Sequence, residues 1–448
     1  MSEAVTEVAV QPRPLSAEQQ AWLERAWAEI DEERMRRLLA GMVEIPSPTG
    51  EERPLAEYVA AYLRDAGLEG RAQLIDAQQA NAIGRLRGAG SGPDLLLYAP
   101  LDTDFTGNAD EDCPGVGLTL PRDLEPRAES VDGYVVGLGA VNPKGFATCV
   151  VSAAEAVRRA GVPLQGDVLV GLGAGGMPTN RRPTESVRRW NAGQGSGASF
   201  MLEQGVRGDF AIIAKPGWAV AWEEVGLTWF KIQVHGRLGY VGTRHTLPYR
   251  NPLVGAATLI HALEEWFPEY AARNASGLVA PQGIVGAIEG GWPSKPSFIP
   301  ATCTLWVDLR IGPRTDPMDA KQQLGAALAR IKERHGLDLT WEMVLSIPAS
   351  HTDPNNWIVQ SCMRGWERLE GKPHAPTLGT SGATDANILR GRGVPTARVG
   401  LPRAAQASVG GRTLSARAGH LASMRRLVQC LIYSIVDTCT RSRAEVSG

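Results

Sequence analysis

Leu95-Leu96-Leu97-Tyr98-Ala99-Pro100-Leu101-Asp102-Thr103 is the stretch on which the fold turns. Its apolar residues run without polar alternation, Gly92-Pro93-Asp94 stands before them, and the run closes on an acidic residue. A short continuous apolar run between breakers marks a strand buried on both faces. Runs of the same kind occur at residues 81–86, 167–172 and 209–214, and a helical pattern occupies 145–160. Strands alternating with helices predict an α/β sheet with helices on both faces. Upstream, Trp22, Leu23, Trp27, Ile30, Met35 and Leu38 repeat at helical spacing and predict one helix over 16–40. The breaker Pro46-Ser47-Pro48-Thr49-Gly50 separates it from a helix expected over 51–66 and closed by Gly67.

From about residue 222 the texture changes. Residues 227–234 and 302–309 alternate as half-buried strands, 252–266 and 318–335 read as amphipathic helices, and 337–344 reads as another strand. The implied order is strand, helix, strand, strand, helix, strand, the ferredoxin-like split βαβ motif. After His351 the α/β pattern resumes, with a helix around 357–370, a Gly/Ser/Thr loop and helix over 379–389, a strand at 396–399 and a last helix over 419–440. The expected architecture is a mixed-sheet α/β catalytic-type domain, residues 1–222 and 346–448, interrupted by an inserted ferredoxin-like α+β lid or dimerisation domain, residues 223–345.

The 448 residues are 43% hydrophobic and carry a formal charge of −2. That balance offers no basic footprint for nucleic acid. With no long apolar run and no basic, apolar leader after Met1, no membrane association is expected and a cytoplasmic location is the default. The six cysteines form no Cys-x-x-Cys pair and read as core thiols. Cys149 lies on the apolar side of a helix, and the acidic neighbours of Cys113 disfavour a thiolate there. The first of the seven histidines is His235. Gly171-Leu172-Gly173-Ala174-Gly175-Gly176 satisfies a dinucleotide-binding spacing, yet Pro178 and Pro183 prevent a helix from opening directly on it.

Three motifs together resemble a known family: the stretch at 95–103; Asp132-Gly133-Tyr134-Val135-Val136-Gly137-Leu138-Gly139-Ala140-Val141-Asn142-Pro143-Lys144-Gly145; and Gly382-Ala383-Thr384-Asp385-Ala386-Asn387. They resemble signatures of the dinuclear-zinc aminoacylases and carboxypeptidases, the family of acetylornithine deacetylase, succinyl-diaminopimelate desuccinylase and the glutamate carboxypeptidases. Gly290-Gly291, Ile299-Pro300 and Asp308-Leu309-Arg310 resemble the second half of that family's lid. The resemblance implies a hydrolase scaffold and a homodimer formed through the lid.

The same comparison implies that the zinc ligands are gone. Pro100 stands where the family has the His of a His-x-Asp strand end, with Asp102 kept; Asn142 replaces the bridging Asp; Gly175-Gly176 align with a Glu-Glu pair that includes the general base. Lys215, before Pro216, replaces an acidic ligand, and the late His expected within 404–413 is missing. Two zinc ions bring about four positive charges, offset in the family by about four carboxylates, which without metal would repel one another by several kcal/mol. Here carboxylates and histidines are lost together, and Lys215 sets a cation where zinc would bind. No metal and no cofactor is therefore expected.

Chemistry is expected instead from Asp102, Lys215 and Asn142: a carboxyl group for proton transfer, an ammonium in place of the Lewis acid, and a substrate ligand in a Gly-rich loop before a helix. Expected substrate contacts are Arg310, whose planar fork suits a carboxylate; Ser381 and Thr384 at a helix start; and Tyr240 or His245, near the position at which family dimers reach across with a His. Each also has an ordinary structural reading, as a lid ion pair, a helix cap or surface packing. Arg181 and Arg182 open a segment, 181–190, with four arginines and Trp190, fit either for an anionic ligand or for a solvated basic helix. The leading expectation is a metal-independent enzyme acting on a small carboxylate-bearing substrate, most simply by hydrolysing an amide-like C–N bond. A catalytically silent binding or regulatory protein, and a lyase, ring-opening enzyme or isomerase, are the alternatives.

Overall fold

The computed structural model describes residues 6–179, 192–403, 408–409, 412–413 and 417–446. The chain divides into two compact units, Glu7–Trp222 with Thr352–Thr377 and Thr384–Gly448, and Glu223–His351 with Leu378–Ala383.

The first unit is built on a six-stranded mixed sheet. Its order is Arg71–Leu74, Ala80–Leu86, Val168–Gly173, Leu95–Pro100, Phe210–Ala214, Thr396–Val399. The last four run parallel to one another, Ala80–Leu86 runs antiparallel to them, and Arg71–Leu74 pairs antiparallel with Ala80–Leu86. Every residue of Leu95–Pro100 and of Val168–Gly173 is buried, as an unbroken apolar run requires of a strand covered on both sides. One face carries Leu96, Tyr98, Leu169, Ala211 and Ile213, packed with Ala198 and Met201 of the helix Ser196–Glu203 and with Ala386 and Leu389 of Ala386–Gly391. The helix Lys144–Arg159, almost wholly buried, also packs on the sheet, with Leu421–Cys439 against it.

The expected helix over 16–40 is two helices, Ala17–Ala28 and Glu32–Val43. Asp31 breaks the run, because its carboxylate accepts the free N–H groups of Glu33 and Arg34 and so starts a new helix. The loop and helix expected over 379–389 are a loop, whose Thr380 bridges Val279, followed by the helix Ala386–Gly391. The second unit takes in Leu378–Ala383, six residues of the segment that the sequence assigned to the catalytic-type domain. The expected boundary at 345 falls inside the strand Leu339–Ile347.

That second unit is the ferredoxin-like fold. Four antiparallel strands lie in the order Gly283–Gly290, Thr302–Ile311, Gly226–His235, Leu339–Ile347. Helices Pro252–Asn274 and Pro317–His335 cover one face around Phe230, Ile232, Leu259, Leu263, Leu305 and Leu324. Gly283–Gly290 is an edge strand with Ile284 and Ile288 exposed.

Five of the six cysteines are buried, and none is in a disulfide. Among the described residues no helix is long and apolar enough to cross a membrane.

Candidate active site

Val168–Gly173, Leu95–Pro100 and Phe210–Ala214 are neighbours in the sheet and run parallel. The loops that leave their carboxyl ends therefore meet, which is where open α/β sheets hold ligands. Asp102 follows the second strand by two residues, Gly175 and Gly176 follow the first, and Lys215 comes directly after Ala214.

Asp102 is completely buried. Its Oδ1 accepts the Gly176 N–H at 2.7 Å, and its Oδ2 accepts the Met177 N–H at 3.0 Å and the Thr49 hydroxyl at 2.7 Å. Burial pushes its pKa up, against the pull of these donors and of the Lys215 charge. Lys215 is itself almost covered, and its Nζ donates to Asn142 Oδ1 at 3.2 Å with the Met177 Sδ at 3.7 Å. Asn142 is exposed, so the pair runs from the interior to the surface. Lys144, two residues on, is fully buried; its Nζ donates to the Ile45 carbonyl at 2.9 Å, and burial lowers its pKa to about 7.

Glu52 is a member of this site that sequence reasoning missed. An acidic residue at a helix start normally faces water and complements the helix dipole, and nothing in the spacing separates Glu52 from Glu51. The breaker before it turns its side chain inward. Glu52 makes no capping bond and is fully buried. Its Oε1 accepts the N–H groups of Gly50 and Gly175, each at 2.9 Å, and Gln79 donates to Oε2 at 3.0 Å. Burial, and then the charge of Asp102, push its pKa to about 8. The consecutive N–H groups of Gly175, Gly176 and Met177 are thus all taken by two buried carboxyl groups. Asp104 was also missed; it is exposed on the Asp102 loop, where its Oδ1 accepts the Thr179 hydroxyl at 3.0 Å.

The glycines here are required. Gly175 has φ +60°, and a Cβ on it would stand 2.0 Å from the Ala192 carbonyl oxygen. A Cβ on Gly176 would stand 2.5 Å from Pro100 Cβ and 2.6 Å from Asp385 Oδ2. A Glu-Glu pair at these positions has no room. Asp385 does not cap the helix that follows; it accepts the hydroxyl of buried Tyr98 at 2.5 Å, while Thr384 Oγ1 accepts the Ala386 N–H at 3.2 Å.

The other expected contacts lie in the second unit or outside the described residues. Arg310 pairs with Asp308, Nη2 to Oδ2 at 2.9 Å, and also donates to the Ser381 carbonyl at 3.5 Å. The Ser381 hydroxyl donates to the Ala280 carbonyl. Tyr240 is exposed against Phe298, with ring centroids 5.5 Å apart, and His245 is exposed. Arg181 and Arg182 fall outside the described residues.

The donor set does not suit a pair of zinc ions. Pro100, Gly175 and Gly176 offer no side-chain donor, Asn142 is neutral, and the Lys215 ammonium lies against it. Among the described residues no group of three or more His, Cys, Asp or Glu is placed to hold a metal.

Residues 223–336 match the family model of the peptidase dimerisation domain. The whole chain is similar in fold to human carnosine dipeptidase 1, at 14% identity over 95% of this chain and 99% of that one, TM-score 0.68. It is similar to an M20 family metallo-carboxypeptidase from Sulfolobus solfataricus, at 13% identity over 89% and 97%, TM-score 0.65. A hydantoinase/carbamoylase family amidase from Burkholderia ambifaria follows, at 18% identity over 95% and 99%, TM-score 0.58. The chain thus shares its overall fold with these hydrolases, and residues 223–336 within it match the peptidase dimerisation domain.

The buried carboxyl group of Glu52 has a measurable signature. Its folded pKa of about 8 lies above the ordinary 4.5, so the stability it contributes is complete below pH 4.5 and is lost as pH rises through about 8. Lys144 has the opposite sense: its contribution is complete above 10.5 and lost as pH falls through about 7. His374, held down to about 4 by burial, adds an opposite slope below pH 6.5, so the Glu52 component is read from the difference between wild type and Glu52→Gln in urea unfolding, and that difference should fall as pH rises from roughly 5 to 7. Equal slopes in both proteins would contradict this assignment.

Proposed function

We propose that this chain is a metal-independent enzyme on the zinc amidohydrolase scaffold, and that it hydrolyses an amide-like C–N bond in a small carboxylate-bearing substrate. One observation carries the reading: the Lys215 ammonium, hydrogen-bonded to exposed Asn142 at the carboxyl ends of adjacent parallel strands. A fixed cation in a nearly dry setting stabilises the oxygen on which charge develops when water adds to a carbonyl, and the Asn142 amide supplies a second donor. Water adds to the carbonyl carbon, its proton passes to Asp104, the carboxylate on this loop open to solvent, and the same proton goes to the nitrogen as the C–N bond breaks. The products are an acid and an amine. Asp102 is a positioning residue in this scheme, because it is buried and holds the Gly176–Met177 turn on which the Met177 thioether meets Lys215.

A second reading is supported by the donors gathered on Asp102 and Glu52, which leave neither carboxyl group facing solvent. In it the chain is a small-molecule binding or regulatory protein without turnover. N-acyl amino acids assayed with a chelator present separate the two. The enzyme reading expects turnover that survives chelation and falls about 10²- to 10³-fold in Lys215→Met. Turnover abolished by the chelator, or equal in wild type and Lys215→Met, would defeat it, and ligand binding without turnover across the panel would favour the second reading.

We also propose that two copies pair through the lid unit. Gly283–Gly290 is an open sheet edge with Ile284 54% and Ile288 56% exposed, and Val254 on Pro252–Asn274 is 58% exposed. Such an apolar edge invites strand pairing unless it is covered. Light scattering should give twice the 47.9 kDa chain mass, and Ile288→Lys should shift it towards the single chain. A monomeric wild type would contradict the proposal.

A further inference from the structure

At the amino ends of the same three parallel strands, away from Asp102 and Lys215, lies a cavity of about 550 Å³. Its apolar lining residues are Leu68, Ile83, Leu169 and Val206. Arg64, Arg71, Arg85 and Arg207 line it with the acids Glu69, Asp94 and Asp167.

The acids are already engaged. Asp167 pairs with Arg85 and accepts the Gly88 N–H at 2.8 Å; Glu69 is held by Arg87; Asp94 accepts the Asp167 N–H at 2.7 Å. The other three arginines meet no carboxylate among the described residues. Arg64 donates to the Gly70 carbonyl at 3.1 Å, and Arg207 to the carbonyls of Arg392 and Gly393 at 2.8 and 3.1 Å. A guanidinium has five N–H donors, so each keeps donors to spare, and the carbonyls fix its direction without neutralising it. The cavity has the size of a small-molecule site, and its charged lining is interspersed with apolar residues.

We propose that this cavity is a second ligand site, for a small organic anion whose carboxylate or phosphate meets Arg64, Arg71 and Arg207 and whose apolar body lies on Ile83, Leu169 and Val206. The proposal does not depend on turnover at the other end of the sheet. Two probes, 3-phenylpropionate and phenyl phosphate, distinguish the carboxylate from the phosphate source, and inorganic phosphate tests charge without the apolar body. Calorimetric titration of the full chain should show saturable one-to-one binding of one aryl probe, tighter than inorganic phosphate. Arg71→Gln and Arg207→Gln should each raise its Kd about tenfold, with the thermal midpoint unchanged, because each loses a charge-assisted hydrogen bond. Lys215→Met should leave the Kd as it is. No saturable binding of either aryl probe up to roughly 5 mM, a Kd unchanged in both arginine variants, or a Kd lost in Lys215→Met would each overturn the proposal. Both arginines lie on the surface, and each single variant can be read without the other.

Discussion

Three consecutive backbone N–H groups, those of Gly175, Gly176 and Met177, must be satisfied in the buried interior. A nest of this kind binds anions, and here the anion comes from the chain itself, as the carboxyl groups of Glu52 and Asp102. Much else follows. Both groups are buried, so each raises the cost of ionising the other, and Lys215 and the surrounding donors limit that cost. The turn they hold has no Cβ at its first two positions, and its third residue places a soft thioether against the one cation that directly follows Phe210–Ala214.

This arrangement gives a physical reading of the departures from the zinc pattern. Pro100, Gly176 and Asp385 fill one another's space, and Tyr98 anchors Asp385 from the strand beneath. A carboxylate side chain placed at Gly175 or Gly176 would therefore clash with its neighbours. In the proposed function Lys215 is the local counterpart of the charge a metal would supply, and the same sheet carries a second set of cations, arginines, at its opposite end.

The fold was legible because it rests on periodicity. The unbroken run at 95–100, and the alternation at 226–235 and 302–311, each correspond to one burial pattern and so to one sheet environment. The departures from expectation came where a side chain competes with the backbone, as at Asp31, and where a loop pairs with distant residues, as at Thr380. In the candidate site, Asp102, Asn142 and Lys215 could be nominated from sequence because they lie beside the ends of strands and a helix. Glu52 was not, since its meaning depends on Gly175, more than a hundred residues away, and on being turned inward at a position where a glutamate usually faces water.

The central claim is that internal charges stand in for metal at the ends of the parallel strands. The most direct test is the zinc content of the full chain, measured by plasma mass spectrometry after growth and purification without chelator. The account predicts far less than one zinc per chain, with no increase on incubation with excess zinc followed by desalting. About two tightly held zinc ions per chain would contradict it.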